Sequence, residues 1–349
     1  MKIITYKGVS MNSIEENELT EEQFIDLKKQ FYEKPTRKEL ENEIANLICQ
    51  NGTKMDKIER TYFRELMSKT KIYFNKWTIE DCFEYKPLLD RFYSKTLKNP
   101  KVFTSEKLID NIETAFRLGG KGVASKVANF PISTVDEILR RYNVNNNWYD
   151  MSCGWGARLT GALKNKVNYY GTDPNYLLVD KLKEFVKDWS NITNTKTKTE
   201  IRCQGSEEFV EEWKDKMGLC FTSPPYFYLE DYKIGNQSYK EGTTYEGWKN
   251  NYLKPTIENC YKYLVDNGYL VINIKDFDKF ELEKDTKQIC EECGFKYIEN
   301  YELNNISRVN SKGDFNDTNE NIMVFMKSGF EENHKVYTKP KQLNLFDDL

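Results

Sequence analysis

The chain is short of several features that would place it quickly. Of its 349 residues one is histidine, His334, close to the tail. Chemistry that turns on a histidine base therefore finds none in the body of the chain. Positive charge is not in excess either: 52 Lys and Arg stand against 55 Asp and Glu, a net charge of -3. No global basic field draws the chain to nucleic acid, and any such contact must come from a local face. No apolar run approaches membrane-spanning length. The apolar start Met1–Tyr6 is too short for a secretory leader. The eight cysteines lack a framework spacing, which points to a reducing cytoplasmic compartment. Cys290 and Cys293 form a Cys-x-x-Cys, but no second pair stands at zinc spacing, so no metal is expected. That pair closes an amphipathic stretch and reads as packing.

The length allows about two domains and a substantial core. Residues 20–120 read as helices. Thr20-x-x-Gln23 and Thr36-x-x-Glu39 have capping-box spacing, and Asn51-Gly52 and Gly119-Gly120 are stops. Phe63, Leu66, Ile72, Phe74 and Trp77 suit the core of a small helical domain. Between Arg60 and Lys76 aromatic and basic residues interleave, which suits a phosphate-contacting face. Nearby acids favour an ordinary solvated helix with a packed aromatic stripe.

From Asn129 the pattern changes. Strands are predicted at Trp148–Met151, Tyr169–Thr172, Glu200–Cys203, Gly218–Thr222 and Tyr269–Ile274. Helices are predicted at Val135–Tyr142, Leu177–Trp189, Glu207–Lys214, Tyr245–Leu264 and Leu282–Cys293. This alternation implies a doubly wound α/β fold with a parallel sheet. Two further strands, Lys296–Leu303 and Asn321–Lys327, enclose a polar loop.

Two motifs carry chemistry. Ser223-Pro224-Pro225-Tyr226 follows an apolar strand. Two prolines cannot continue a central strand, since neither offers an N–H and each fixes its own φ. They make a rigid exit that can hold an acceptor and an aromatic ring in fixed relation to a flat substrate, as methylation of an exocyclic amine requires. Upstream, Asp150-Met-Ser-Cys-Gly154-Trp-Gly156 reads as a strand, a glycine turn and a helix start. Asp173 ends the next strand about twenty residues on, where doubly wound folds place an acid that binds ribose hydroxyls.

In this order and strand context the motifs resemble the S-adenosylmethionine-dependent amino-methyltransferases of DNA, which methylate cytosine N4 or adenine N6. The resemblance covers roughly residues 125 to 328. It implies a Rossmann-like methyltransferase sheet at 121–328, preceded by the helical domain at 1–120 as candidate for target recognition. It implies cofactor contacts from Phe130, Asp150, Ser152, Gly154, Gly156, Asp173, Ser206 and Glu207. Ser206 and Glu207 suit a helix cap about equally well, and Phe130-Pro131 a hydrophobic staple. The catalytic part is implied at Ser223, Pro224, Pro225 and Tyr226. The Ser223 hydroxyl and Pro224 carbonyl would accept from the amine, and Tyr226 would stack on a flipped base. Phe227, Tyr228 and Tyr232 would line the same pocket or pack as a lid.

The chain departs from the family in places. Met151 and Ser152 stand where Pro and Phe are common, so Trp155 or Phe130 would supply the ring that packs on the cofactor. The first motif residue is Ser223 rather than Asp or Asn, which goes more often with cytosine N4. Adenine N6 stays open, as do an RNA base, a protein glutamine, or a binding module without catalysis. In the tail, 329–349, the run Gln342-Leu343-Asn344-Leu345-Phe346 resembles the short peptide by which DNA proteins bind the replicative sliding clamp. Its alternative is packing back on its own domain.

Overall fold

The computed structural model describes residues 3–6, 9–12, 18–49, 57–73, 75–105, 108–119, 124, 127, 129–233, 236–240, 242–276, 278–302, 308–309, 315–316 and 321–328. The peptide at 342–346 and His334 lie outside the described residues.

Capping chemistry starts the first helices where the spacing predicts. The Gln23 amide donates to the Thr20 hydroxyl at 3.1 Å, and the Glu39 amide to the Thr36 hydroxyl at 3.3 Å. Each cap has its reciprocal bond. Helices follow at Glu21–Tyr32, Arg37–Cys49, Lys57–Tyr62, Arg64–Lys69, Ile79–Glu84, Lys86–Lys98 and Leu108–Gly119. Their apolar residues divide between two cores. Leu27, Phe31, Trp77, Phe83 and Phe116 pack with one another. Leu40, Ile44, Tyr62, Phe63 and Met67 instead join a core that contains Trp148, Leu159 and Phe185 from beyond residue 130. The helical region is thus partly built into the flank of the sheet.

This placement accounts for Tyr62, Phe63 and Arg64 in the interleaved run at 60–76, while Tyr73 and Lys76 stay exposed. Tyr62 donates its hydroxyl to Asp188 at 2.7 Å. Phe63 is fully buried. Arg64 is buried beside Glu113, Nε to Oε1 2.8 Å. These side chains hold the helices to the sheet and to one another, so they are not available to phosphates. Phe63 also explains Gly156: a Cβ there would come within 2.6 Å of the Phe63 ring, and φ is +81°.

The sheet has seven strands: β1 Asn147–Asp150, β2 Asn168–Thr172, β3 Thr199–Arg202, β4 Met217–Thr222, β5 Leu264–Asn273, β6 Phe295–Glu302 and β7 Asn321–Lys327. Their order is β6-β7-β5-β4-β1-β2-β3. The pairs β1–β2, β2–β3, β1–β4 and β4–β5 are parallel. β7 runs antiparallel to both β5 and β6. This is the doubly wound α/β fold the alternation predicts, with the antiparallel pair at one edge. All six residues of β4 are buried, as expected for a strand covered on both faces.

Two predicted helices differ. Residues 207–214 form only a 3-10 turn, Glu211–Trp213. Tertiary contacts hold this stretch instead: Phe209 stacks on Tyr263 with centroids 5.3 Å apart, and the Val210 N–H donates to the Tyr263 hydroxyl at 2.7 Å. The helix expected over 245–264 is Tyr245–Trp248, a π turn at Lys249–Leu253, and Lys254–Tyr263. Pro255 follows the π turn at once; it lacks the N–H that a regular turn would use. Cys290 is buried in the helix Leu282–Glu292 and forms no disulfide, as packing predicts.

One buried carboxylate at the C-terminal end of β1 ties three strands together. Asp150 is wholly inaccessible to solvent. Its Oδ2 accepts from Arg158 Nε at 2.8 Å and from the Tyr169 hydroxyl at 2.8 Å. Its Oδ1 accepts from the Thr222 hydroxyl at 2.9 Å and the Ser152 amide at 3.3 Å. Three strands and the glycine turn thus converge on one side chain. Removing it leaves the buried Arg158 guanidinium, 7% exposed, without a counter-charge. Asp150→Ala is expected to cost about 3–5 kcal/mol of stability, read as a shift in the denaturant midpoint. A change below about 1 kcal/mol would show that β1, β2 and β4 hold together without it.

Candidate active site

Doubly wound sheets bind ligands outside the carboxyl ends of their strands, where the strand order reverses. Here that point lies between β1 and β4, and a cavity of about 270 Å³ opens there. The sequence features meet in it. Ser152 and Gly154 come from the turn after β1, Asp173 follows β2, and Ser206 and Glu207 follow β3. Ser223, Pro224, Pro225 and Tyr226 leave β4, and Phe130 closes one side.

Two predicted contacts fall outside it. Asp150 does not line the cavity, because all its bonding capacity is turned toward the strands and Arg158 behind the wall. Gly156 does not line it either; its missing side chain makes room for Phe63. Gly154 does face the cavity, with φ +56°, a conformation that suits glycine and leaves the turn's backbone uncovered.

On one side of the cavity Asp173 is nearly buried. It is not the helix cap. Asn175 takes that role, its side chain accepting from the Leu178 amide at 3.3 Å. Asp173 accepts the Asn175 amide at 3.0 Å. Burial pushes its pKa from 3.8 up to about 7; the Asp150 charge adds to this, while the amides of Asn175 and Gly154 pull the other way. Ser206 does not cap a helix either, since its hydroxyl shares a hydrogen bond with Thr256 at 2.8 Å. Burial also raises the Glu207 carboxyl. Asn129 lines the cavity with both its carboxamide atoms buried and unbonded. Phe130 and Trp155 are both in the wall, and Phe130 meets Phe221 edge-on at 5.3 Å.

On the other side, β4 ends at Thr222 and the chain leaves it without regular structure through both prolines. Ser223 is held at both ends. Its carbonyl accepts from the Ser152 hydroxyl at 3.2 Å, and its hydroxyl from the Asn273 carboxamide at 3.4 Å. The Ser152 hydroxyl also lies 2.8 Å from that of Thr222. The turn after β1 therefore fixes the start of the proline exit. Tyr226 and Tyr232 line the cavity, but Phe227 and Tyr228 do not. Phe227 is buried with Tyr239, Tyr245, Trp248 and Phe280 around it. It sits at φ +23°, a strained backbone that this packing holds. Phe227 and Tyr228 therefore pack among these rings, not in the cavity wall.

Several residues of the wall were not foreseen. Asn273 ends β5, next to β4, so the strand-end rule could have found it. Tyr252 enters from the π turn, and no local signal marks it. Arg158 is the second residue of the helix Ala157–Lys164 that follows Gly156. It bonds the Ser152 carbonyl as well as Asp150, and its guanidinium lies 5.9 Å from the Phe130 ring. The segment after Tyr226 is tied to the N-terminal region: Lys71–Ile72 pairs with Glu230–Asp231, and the Tyr73 amide donates to the Leu229 carbonyl at 2.8 Å. Among the described residues no group of three or more His, Cys, Asp or Glu stands close enough to hold a metal ion. Among them, too, no helix is long and apolar enough to cross a membrane.

Residues 217–345 match the model of a family described as DNA methylase. The match begins at the first residue of β4 and takes in the proline exit and the edge strands. No curated protein matches the sequence. Solved structures give fold-level likenesses. A TehB-like S-adenosylmethionine-dependent methyltransferase from Corynebacterium glutamicum has 14% identity over 56% of this chain and 87% of its own, TM-score 0.37. An S-adenosylmethionine-dependent O-methyltransferase from Thermotoga maritima has 10% identity over 59% and 68%, TM-score 0.40. A 1,6-didemethyltoxoflavin-N1-methyltransferase from Burkholderia thailandensis, solved with S-adenosylhomocysteine, has 9% identity over 57% and 76%, TM-score 0.38.

The cavity fits S-adenosylmethionine on its own chemistry: an uncovered glycine turn, a carboxylate after β2 and an orphaned carboxamide at Asn129. Residues 217–345, which match the DNA methylase family, thus form one side of a cavity that fits S-adenosylmethionine, and on that ground the protein is a methyltransferase.

Proposed function

We propose that the protein methylates the exocyclic amine of a base flipped out of DNA, with cytosine N4 as the favoured position. The observation that carries this reading is the placement of Ser223. Ser152 from the glycine turn and Asn273 from β5 hold it in the same cavity as Asp173 and Gly154.

When bound, the cofactor supplies a methyl group already activated by its sulfonium charge. The protein's task is to bind and orient. Asp173, when ionised, accepts from the ribose hydroxyls, and the open backbone at Gly154 lies along the methionine end. Asn129 gives that end a polar partner, and Phe130 or Trp155 packs against the cofactor. Ser206 and Glu207 face the adenine. On the acceptor side, the Ser223 hydroxyl and Pro224 carbonyl accept from the target amine. This draws its lone pair out of conjugation with the ring. Tyr226 stacks on the base, contributing about 1–3 kcal/mol against the few that flipping costs. No strong base is required, because the amine loses its proton readily after attack.

Serine at position 223 favours cytosine over adenine through the family resemblance. For target recognition we favour the N-terminal helical region together with the segment 227–244. The strand pair Lys71–Ile72 with Glu230–Asp231 supports this by fastening that region beside the proline exit. The tail peptide Gln342–Phe346 is proposed as a contact to a sliding clamp, on sequence alone, in a cytoplasmic setting.

Ser223→Ala is expected to lower kcat about 10²-fold, the size of losing one hydrogen bond aimed at the transition state, while the cofactor Kd stays within about twofold. Nucleoside mass spectrometry of DNA and RNA from expressing cells reads the same variant: wild type yields N4-methylcytosine in DNA and Ser223→Ala does not. N6-methyladenine would correct the base, and methylation of RNA alone would overturn the DNA reading.

Asp173 gives a pH dependence. Its carboxyl is raised to about 7 in the free protein, and only the ionised form accepts from both ribose hydroxyls. Cofactor affinity should therefore fall as pH drops through about 7 and level off above it, with Asp173→Asn weaker and flat by calorimetry. An Asp173→Asn profile that still bends at that pH would remove the residue from the site. Deleting Gln342–Leu349 should end binding to a purified clamp and leave methylation of short DNA intact. Lost activity on short DNA would show instead that the tail belongs to the fold.

A further inference from the structure

Glu230 lines the cavity and has no part in the chemistry above. It sits opposite Ile72 in the short strand pair that joins the N-terminal region to the segment after the proline exit. Its place is therefore fixed by backbone pairing. One carboxylate oxygen accepts the Tyr232 hydroxyl at 2.6 Å. No cation pairs with it among the described residues; the neighbouring Lys233 turns to Asp231. Burial raises its pKa, with the Tyr232 bond opposing. Tyr232 in turn packs its ring 6.0 Å from Trp155, inside the glycine turn. The carboxylate thus stands on the side of the cavity where the methionine end of the cofactor is expected. Glu230 is half-buried, and a carboxylate partly withdrawn from water without a counter-charge is stabilised by a cation arriving beside it.

We infer that Glu230 holds the ammonium group of the cofactor's methionine end through a charged hydrogen bond. This rests on the S-adenosylmethionine reading of the cavity and adds to it a residue for the amino-acid end. Tyr232 positions the carboxylate, and the strand pair with Lys71–Ile72 makes the N-terminal region part of the cofactor site.

Three probes separate the possibilities by calorimetry: S-adenosylmethionine, S-adenosylhomocysteine, which keeps the ammonium but lacks the sulfonium charge, and 5′-methylthioadenosine, which lacks the whole amino-acid end. Glu230→Gln is expected to weaken the first two alike, by about ten- to a hundredfold, the effect of losing one charged hydrogen bond. Methylthioadenosine should bind as it does to wild type, and Glu230→Asp should recover part of the loss. An equal loss for all three probes would make Glu230 a structural residue and overturn the inference. A loss confined to S-adenosylmethionine would assign it to the sulfonium and overturn the ammonium. Unchanged affinity for all three, with a raised KM for DNA, would move Glu230 to the base. Wild-type protein that bound none of the probes would overturn the cofactor reading itself, a result distinct from wild-type binding with an unaffected variant.

Discussion

The buried carboxylate of Asp150 is the constraint on which the site depends. It gathers a guanidinium, two hydroxyls and an amide from Arg158, Tyr169, Thr222 and Ser152. A charge with no access to water is tolerable only when paired and hydrogen-bonded, and here both conditions hold. The result is geometric. The turn after β1 and the end of β4 cannot move separately, because Thr222 and Ser152 both bond Asp150 and each other.

That coupling links two halves of a transfer reaction. In the proposed reaction the turn after β1 is the donor side and the exit after β4 the acceptor side. Ser152 joins them again at the Ser223 carbonyl. Methyl transfer depends on the separation of donor and acceptor, and small misplacements are expensive. A rigid proline exit sets the acceptor, and the hydrogen bonds behind it set the exit. The strain at Phe227 falls immediately after Tyr226 and is held by five aromatic neighbours, Tyr228 among them.

The helical region at the start of the chain is more than an appendage. Phe63 fills the space left by Gly156, Tyr62 reaches Asp188, and Lys71–Ile72 pairs with the segment bearing Glu230. A glycine that motif reasoning assigns to a ligand thus serves packing between two regions. Part of the interleaved aromatic and basic run has the same fate: Tyr62, Phe63 and Arg64 are buried, and the Arg64 charge is spent on Glu113.

Much of this was legible in the sequence because it is local. Strand and helix alternation, the capping threonines, the glycine turn and the double proline each follow from backbone preferences of a few residues. So the sheet and the part of the cavity wall that carries the two motifs could be named in advance. Tertiary structure decided what depends on partners far along the chain. Asp150 and Gly156 carry a ligand-motif pattern but face inward, since their partners Tyr169, Thr222 and Phe63 lie up to 93 residues away. Residues 207–214 have helical periodicity, yet Tyr263 takes the Val210 N–H. Asn273, Tyr252 and Glu230 reach the cavity only because β5, the π turn and the Lys71–Ile72 pairing bring them there. Backbone preference is written residue by residue, whereas the direction a side chain faces is settled by whatever the folded chain sets beside it.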